Sequence, residues 1–307
     1  MSARAWSAFA AVSILWGIPY LFIKIAVDDG VPPAFLAWVR VVLGAGVLLA
    51  LAWRLGLLST VRGRWTWIAV FGVVEIAIPF PLIAAGEKHV ASSLAAIIIA
   101  AAPLFVALLA LRFDHTERVD GSRLAGLFIG LAGVAALVGI DVAGNSDELL
   151  GALSILLAAF CYAIGPMVLK RHLSDLDPRA SMGAAIVVAA IVLTPVAALG
   201  PAPEVPTLAA GVALVVLGVL CTAAAFAIYA SLVSEVGAGR ALVITYVAPV
   251  VAVALGIAVL DERPGPGAIA GLLLILVGSW LATGGSIPGR RRSEGPLGSV
   301  ADGGHPG

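Results

Sequence analysis

Ten apolar runs, each long enough for a helix that crosses a bilayer, constrain this chain more than any other feature. Spanning the hydrocarbon core takes about 20 predominantly apolar residues. The runs fall at 5–27, 33–54, 65–86, 91–111, 121–140, 150–170, 180–199, 207–233, 238–260 and 267–284. Composition agrees: 61% of the 307 residues are hydrophobic and 12% charged, against about 45–50% and about 25% in soluble domains. The expected fold class is therefore an all-α integral membrane protein with ten transmembrane helices. Arg4 before the first run raises the possibility of a signal peptide; the run is too long and is followed at once by another, so it reads as a retained helix.

Cation placement orients these helices, because Lys and Arg concentrate in short cytoplasmic loops. With the N-terminus inside, fourteen cations fall on the cytoplasmic side: Arg4, Arg54, Arg62, Arg64, Arg112, Arg118, Arg123, Lys170, Arg171, Arg179, Arg240 and Arg290 to Arg292. The other face has only Lys24, Lys88 and Arg263, and Arg40 belongs to neither. Both termini are expected in the cytoplasm. Trp6, Trp53, Trp65, Trp67 and Trp280 fall near the same ends, at the depth that suits an amphipathic ring. Turn formers and three arginines without apolar periodicity predict a disordered cytoplasmic tail over 286–307, next to anionic lipid.

A shift of 146 positions superposes Trp16 on Tyr162, Lys24 on Lys170, Gly72 on Gly218, Phe80 on Phe226 and Pro103 on Pro249. With a one-residue gap the register continues through Glu117 and Glu262, Gly126 and Gly271, and Gly133 and Gly278. Two units of five helices follow, at 1–141 and 149–285. An odd number of crossings makes the second unit enter from the opposite side, giving inverted-topology repeats. Such repeats mark secondary transporters, with the substrate site near the midplane between the halves. Pro103 and Pro249, mid-helix in both units, are the gating candidates, since each removes a backbone donor. The GxxxG spacings at Gly126 and Gly130 and at Gly267 and Gly271 predict close helix packing.

The doubled segments ASSLAAIIIAAAPLFVALLALRFDHTERVDGSRLAGLFIGLAGV and GRALVITYVAPVVAVALGIAVLDERPGPGAIAGLLLILVGSWL resemble the paired EamA-type domains of the drug/metabolite transporter superfamily. The shared pattern is a mid-helix proline, a Glu-Arg dipeptide and a Gly-rich helix: Pro103, Glu117-Arg118 and Gly126, then Pro249, Glu262-Arg263 and Gly271. ILWGIPYLFIKIAV and FLAWVRVVLGAG also look like that family. The resemblance, over roughly residues 5 to 284, implies a ten-helix exporter of small metabolites, often amino acids.

Two charges lie deep inside the runs, away from either end. Arg40 is about 11 Å deep and Glu75 about 16 Å from either end at 1.5 Å per residue. Ionisable groups at such depth are expected to pair. Two readings stay open: an internal salt bridge that fixes two helices, or Arg40 holding an anionic substrate group while Glu75 exchanges a proton. The second half has Ile186 and Cys221 at these positions. Trp16, Phe80, Tyr162, Phe226 and Tyr246 are candidates to line the substrate cavity.

Other classes lack their motifs. The sequence holds no HExxH, GxSxG, CxxC or GxxxxGK[ST], so no catalytic set, metal, nucleotide or cofactor is expected. Cys161 and Cys221 read as small buried residues, and His89, His115, His172 and His305 as solvated edge or tail residues. No filter-like segment suggests a channel. The partners expected are a small-molecule substrate, the lipid bilayer and protons as coupling ion, without nucleic acid. A membrane-embedded lipid-handling enzyme or a scaffold remains the alternative. Scarce Lys with abundant Ala, Gly and Val points to a GC-rich bacterial source, and so to the plasma membrane.

Overall fold

The structure, a computed structural model, describes residues 2–54, 56, 61, 63–113, 121–142, 144–237, 241 and 243–283. The expected tail over 286–307, the Glu117-Arg118 dipeptide, Arg62, Arg240, His115 and His305 lie outside the described residues. Every described element is helical. In chain order they are α1 (Ala3–Gly17), α2 (Pro19–Asp28), α3 (Pro33–Arg54), α4 (Trp65–Gly72), α5 (Pro79–Glu87), α6 (Ser92–Ile99), α7 (Ala102–Phe113), α8 (Gly121–Leu137), α9 (Ser146–His172), α10 (Pro178–Leu199), α11 (Leu208–Val215), α12 (Ala225–Val236), α13 (Ile244–Leu260) and α14 (Pro266–Ala282). π-helical stretches occupy Val73–Ala77, Val138–Val142 and Val216–Ala224.

Joined end to end, these elements give eight helical stretches long and apolar enough to cross a membrane: Ala3–Asp28, Pro33–Arg54, Trp65–Glu87, Ser92–Leu111, Gly121–Val142, Ser146–His172, Pro178–Leu199 and Leu208–Val236. The last two apolar helices, α13 and α14, are shorter, at 17 residues each. Within the run 238–260 the helix α13 covers Ile244–Leu260, about 25 Å at 1.5 Å per residue.

Pro33, Pro178 and Pro266 each open a helix after a connecting segment, where the first amides have no intrahelical acceptor. Pro19 and Pro79 follow directly on a helical turn, and Pro166 and Pro195 lie inside α9 and α10. The run 91–111 breaks instead of kinking. α6 ends at Ile99, Ala101 and Leu104 bond three residues back to Ile98 and Ala101 at 3.0 and 2.9 Å, and Pro103 lies just inside α7. The hydroxyl of Ser279 on α14 donates to the carbonyl of Ala100 at 3.4 Å, so the break is served by a neighbouring helix. Pro249 sits inside α13, which continues unbroken around it.

Contacts run mainly between the stretches before and after Gly144. The first stretch packs on the eighth through α1 and α12, and the sixth packs on the third through α9 and α5. α3 meets both α10 and Val216–Ala224, while α10 meets α3, α4 and Val73–Ala77. α1 packs on α13, as α9 packs on α6 and α7. Each contact has a counterpart with the two stretches exchanged.

Lipid tails give apolar side chains no hydrophobic reason to associate, so close approach must supply the attraction. At α8 and α14 it does: a Cβ on Gly126 would lie 2.5 Å from the Ala282 nitrogen, and one on Gly133 would lie 2.8 Å from Leu274 Cβ. Gly271 and Gly278 face Leu137, Gly133 and Gly130 from the other side. These are the predicted packing helices. Outward, Phe128, Leu150 and Ile191 are exposed, each by about two-thirds, an apolar surface suited to lipid.

On one end of the molecule, carboxylates cap helices of the opposite half. Asp29 accepts from the Thr207 amide at 2.9 Å, next to α11. Glu262 accepts from the Ser92 and Ser93 amides at 2.7 and 2.9 Å, at the start of α6. Asp141 accepts from the Gly267 and Ala268 amides at 3.2 and 2.5 Å, at the start of α14. Helix N-termini carry unsatisfied amides and partial positive charge, so these contacts are favourable without any cationic side chain. The opposite end is held differently: Arg64 pairs with Asp175 at 2.6 Å and donates to the His172 carbonyl at 3.2 Å, and the His172 ring stacks on Trp67 at 3.4 Å.

Candidate functional site at the contact of the two halves

Arg40 comes from α3, in the stretch AWVRVVLGAG, on the face that also presents Ala37, Val41 and Gly44 inward. It is 6% exposed. Its Nε donates to Thr222 Oγ1 at 2.9 Å, and its Cζ stands 3.9 Å from the centroid of Phe80. Thr222 belongs to the opposite half and itself donates to the Leu217 carbonyl at 2.8 Å, five residues back within the π stretch. The cation is thus joined to both halves, by a hydrogen bond to one and a ring face of the other. A buried guanidinium needs such partners, and the ring quadrupole adds attraction at this distance.

Glu75 lies in the π-helical turn Val73–Ala77. The Ile78 amide reaches back five residues to Val73 at 3.0 Å, and Pro79 follows with no amide to donate. π turns re-aim side chains and recur at functional positions. Here the turn directs Glu75 toward α9, where its Oε2 fills the space that a side chain at Gly165 would need. That oxygen is buried without a hydrogen-bond partner. Among the described residues no ion pair joins Arg40 to Glu75, so the expected pairing does not form; Arg40 is directed to Thr222 and Phe80 instead. The charges of both Arg40 and Glu75 reach the Tyr162 phenol, as do Tyr20 and Cys161.

Aromatic rings close over this region. Trp16 meets Phe226 edge-on at 5.9 Å and Tyr229 at 4.7 Å. Phe80 and Phe226 are buried in one cluster with Ile186, against which Trp16, Tyr162 and Tyr229 pack. Five expected residues, Trp16, Arg40, Phe80, Tyr162 and Phe226, therefore converge, and Glu75 lies beside Tyr162. Tyr246 does not join them: its hydroxyl is 2.8 Å from Thr283 Oγ1 at the end of α14. Phe226 also lines a shallow surface indentation with Leu48, Arg179 and Met182.

Sequence reasoning missed Thr222, Tyr20, Tyr229 and Glu87. Thr222 is the aliphatic hydroxyl in VLGVLCTAAAFAIYA, and a polar group within an apolar run is the signal that could have found it. Glu87 sits one residue past the expected end of its run, but α5 includes it and buries it completely. Outside the spans, two carboxyls titrate away from their ordinary range. Hydrogen bonds from Arg179 hold Asp177 low. Burial pushes Glu262 up, but the bonds from Ser93 and Ser92 outweigh it and hold the group low. No cluster of three potential metal ligands occurs among the described residues.

Long apolar helices with a buried charged centre between two similar halves define a multi-pass membrane protein. A family model, the EamA-like transporter family, matches residues 4–139 and again 149–284. The chain belongs to that family, within the drug/metabolite transporters. It is 35% identical over 133 residues to Protein PagO of Salmonella typhimurium (43% of this chain, 42% of PagO). It is 32% identical over 166 residues to the uncharacterized inner membrane transporter YedA of Escherichia coli K12 (52% and 51%). A probable amino-acid metabolite efflux pump of the same organism is 29% identical over 188 residues (60% and 59%). The chain thus spans about half the length of these curated relatives. A solved crystal structure superposes with TM-score 0.66 over 92% of this chain and 98% of its own, at 21% identity, which shows a shared fold.

Proposed function

We propose that the chain is a secondary active transporter exporting small metabolites, amino acids among them, across the bacterial plasma membrane by alternating access. Its ten apolar helices form two inverted repeats of five, 1–141 and 149–285, followed by a cytoplasmic tail, with both termini inside. The observation that carries this reading is Arg40: one buried cation, at the contact of the halves, hydrogen-bonded across that contact. A charge so placed is costly and belongs to a solute pathway or coupling site. Arg40 binds the carboxylate of the substrate, exchanging Thr222 for it; the rings of Trp16, Phe80 and Phe226 cover the apolar part. Glu75, oriented by its π turn and without a partner on Oε2, carries the coupled proton. Rocking of one half on the other then moves the site between faces, with Pro103 and Pro249 in the helices that bend.

The test is flux of labelled amino acids in energised inside-out vesicles. Arg40→Ala should abolish accumulation at normal membrane abundance. Glu75→Gln should lose proton-driven accumulation but keep substrate exchange. Accumulation by Glu75→Gln equal to that of the parent, with the same pH dependence, removes Glu75 as the coupling residue; absence of flux for every solute in the parent removes the transporter reading.

A further inference from the structure

A second carboxyl group, not used in this mechanism, has no hydrogen-bond partner among the described residues. Glu87 ends α5, is completely buried, and neither of its carboxyl oxygens has a hydrogen-bond partner. Its surroundings are charged but engaged elsewhere. Lys24 on α2 donates to the main-chain carbonyl of Glu87 at 2.9 Å, while its ammonium pairs with Asp28 at 3.0 Å. Arg40 on α3 is bound to Thr222 and Phe80, and Glu262, from the opposite half, accepts the Ser92 and Ser93 amides. These four groups, with the Tyr20 phenol, are the ones whose fields reach Glu87. From α9, Ile155 and Gly151 close over the neighbouring Gly86.

We propose that Glu87 is a proton-binding site that governs opening of the membrane face carrying the Asp29, Asp141 and Glu262 caps. An ionised carboxylate without a donor is not stable in a dry interior, so the closed arrangement holds the neutral acid. A metal cation does not fit, because the Lys24 ammonium is already on the Glu87 carbonyl and no three-ligand cluster exists among the described residues. Glu87 lies five residues before the Ser92 amide that Glu262 holds. Releasing that cap hydrates Glu87, whose proton passes to water. Lys24 then exchanges the half-exposed Asp28 for the new carboxylate, which keeps the face open. Protonation reverses each step and closes it.

This inference rests on the inverted-repeat transporter reading for its orientation, but its test needs no substrate. In the full chain with Cys161→Ala and Cys221→Ala, the buried Val90 becomes the reporter as Val90→Cys, and the exposed Lys88 the reference as Lys88→Cys. Right-side-out vesicles are treated with an impermeant thiol reagent at acidic and alkaline external pH. The Val90→Cys rate, relative to Lys88→Cys, should rise several-fold at alkaline pH. Glu87→Gln should hold it low at every pH, and Glu87→Asp should retain the rise with a displaced midpoint. An equal rise in Glu87→Gln, or no rise in the parent, overturns the proposal. Where Glu87→Gln fails to accumulate, a Glu87→Asp midpoint identical to the parent's overturns it. If Lys88→Cys is labelled only from the inside, the orientation fails, and the same comparison in inside-out vesicles decides the role of Glu87.

Discussion

The third and eighth apolar stretches share a backbone device and differ in chemistry. Moving Val73–Ala77 by 146 positions places it on 219–223, within the π stretch Val216–Ala224. Yet one π stretch presents Glu75, and the other Cys221 and Thr222. The same split divides α3 from α10, where Arg40 faces a position occupied by Ile186 in the other half; Ile186 is fully buried. These two helices pack on one another, close to where the halves exchange. A second guanidinium at Ile186 would enter the buried cluster that holds Phe80, the ring against Arg40, and like charges in such a cluster repel. One half supplies the charge, the other a hydroxyl and an apolar neighbour. The π-helical geometry recurs in the two halves; the buried cation does not.

The sharpest way to break this contrast is to make the first half resemble the second. Arg40→Ile should leave a folded protein and weaken binding of a carboxylate substrate by about 3 kcal/mol, on the order of 100-fold. Equilibrium binding to detergent-purified protein checks it, and unchanged affinity would mean that the asymmetry is unrelated to substrate. Next in size is the seam that both halves share. Gly126→Val should lower stability by about 1–3 kcal/mol through overpacking against Ala282 and Leu281. Gly46→Ala, inside α3 with nothing within 4 Å, should not lower the melting temperature and should raise it slightly, by about 0.4–1 kcal/mol of stability.

A subtler contrast separates Pro103 and Pro249, the two prolines proposed to gate. Pro103→Ala restores a donor for the carbonyl of Ile99 and should close the α6–α7 break, slowing transport at equal abundance. Pro249→Ala, in a helix already continuous, should slow it less. Equal slowing would show that the break is not what matters. The smallest effect concerns one cap. Glu262→Gln should cost about 1 kcal/mol, read as melting in detergent against pH. Its folded-state carboxyl is held below the unfolded value of about 4.3, so the stabilisation is present above that pH and is lost as pH falls through the folded value. The variant should lose that part of the acid sensitivity.

Most helices were legible because run length decides a membrane crossing almost alone. Arg40 and Glu75 were legible because charge in an apolar run has few innocent explanations. What escaped has identifiable causes. The break at Ala100 and Ala101 lies in a run of alanines that favours helix, and only the position of Pro103 within the new turn, with Ser279 nearby, shows why it opens. Thr222 escaped because a hydroxyl in a membrane helix usually bonds its own backbone, as it also does here. Glu87 escaped because Lys88 and His89 follow it, so the sequence reads as a polar edge, while neighbouring helices cover that edge. The Arg40 to Glu75 pairing was inferred from depth alone, and depth does not report which way a π turn aims its side chains.

The three caps contributed by Asp29, Asp141 and Glu262 have an asymmetric genetics. Each contact has a side chain on one partner and main-chain amides on the other. Almost any substitution at these three acidic positions can abolish a cap, whereas at Ser92, Ser93, Thr207 or Ala268 the amide itself survives every replacement except proline; Gly267 is the exception, since a Cβ there would lie 2.8 Å from Asp141 Oδ1. Loss-of-function alleles of this face should therefore collect on the carboxylates. Their suppressors should arise elsewhere, since the receiving backbone offers no compensating change of charge. A saturation screen that found charge-swapped suppressors at the receiving positions would contradict it.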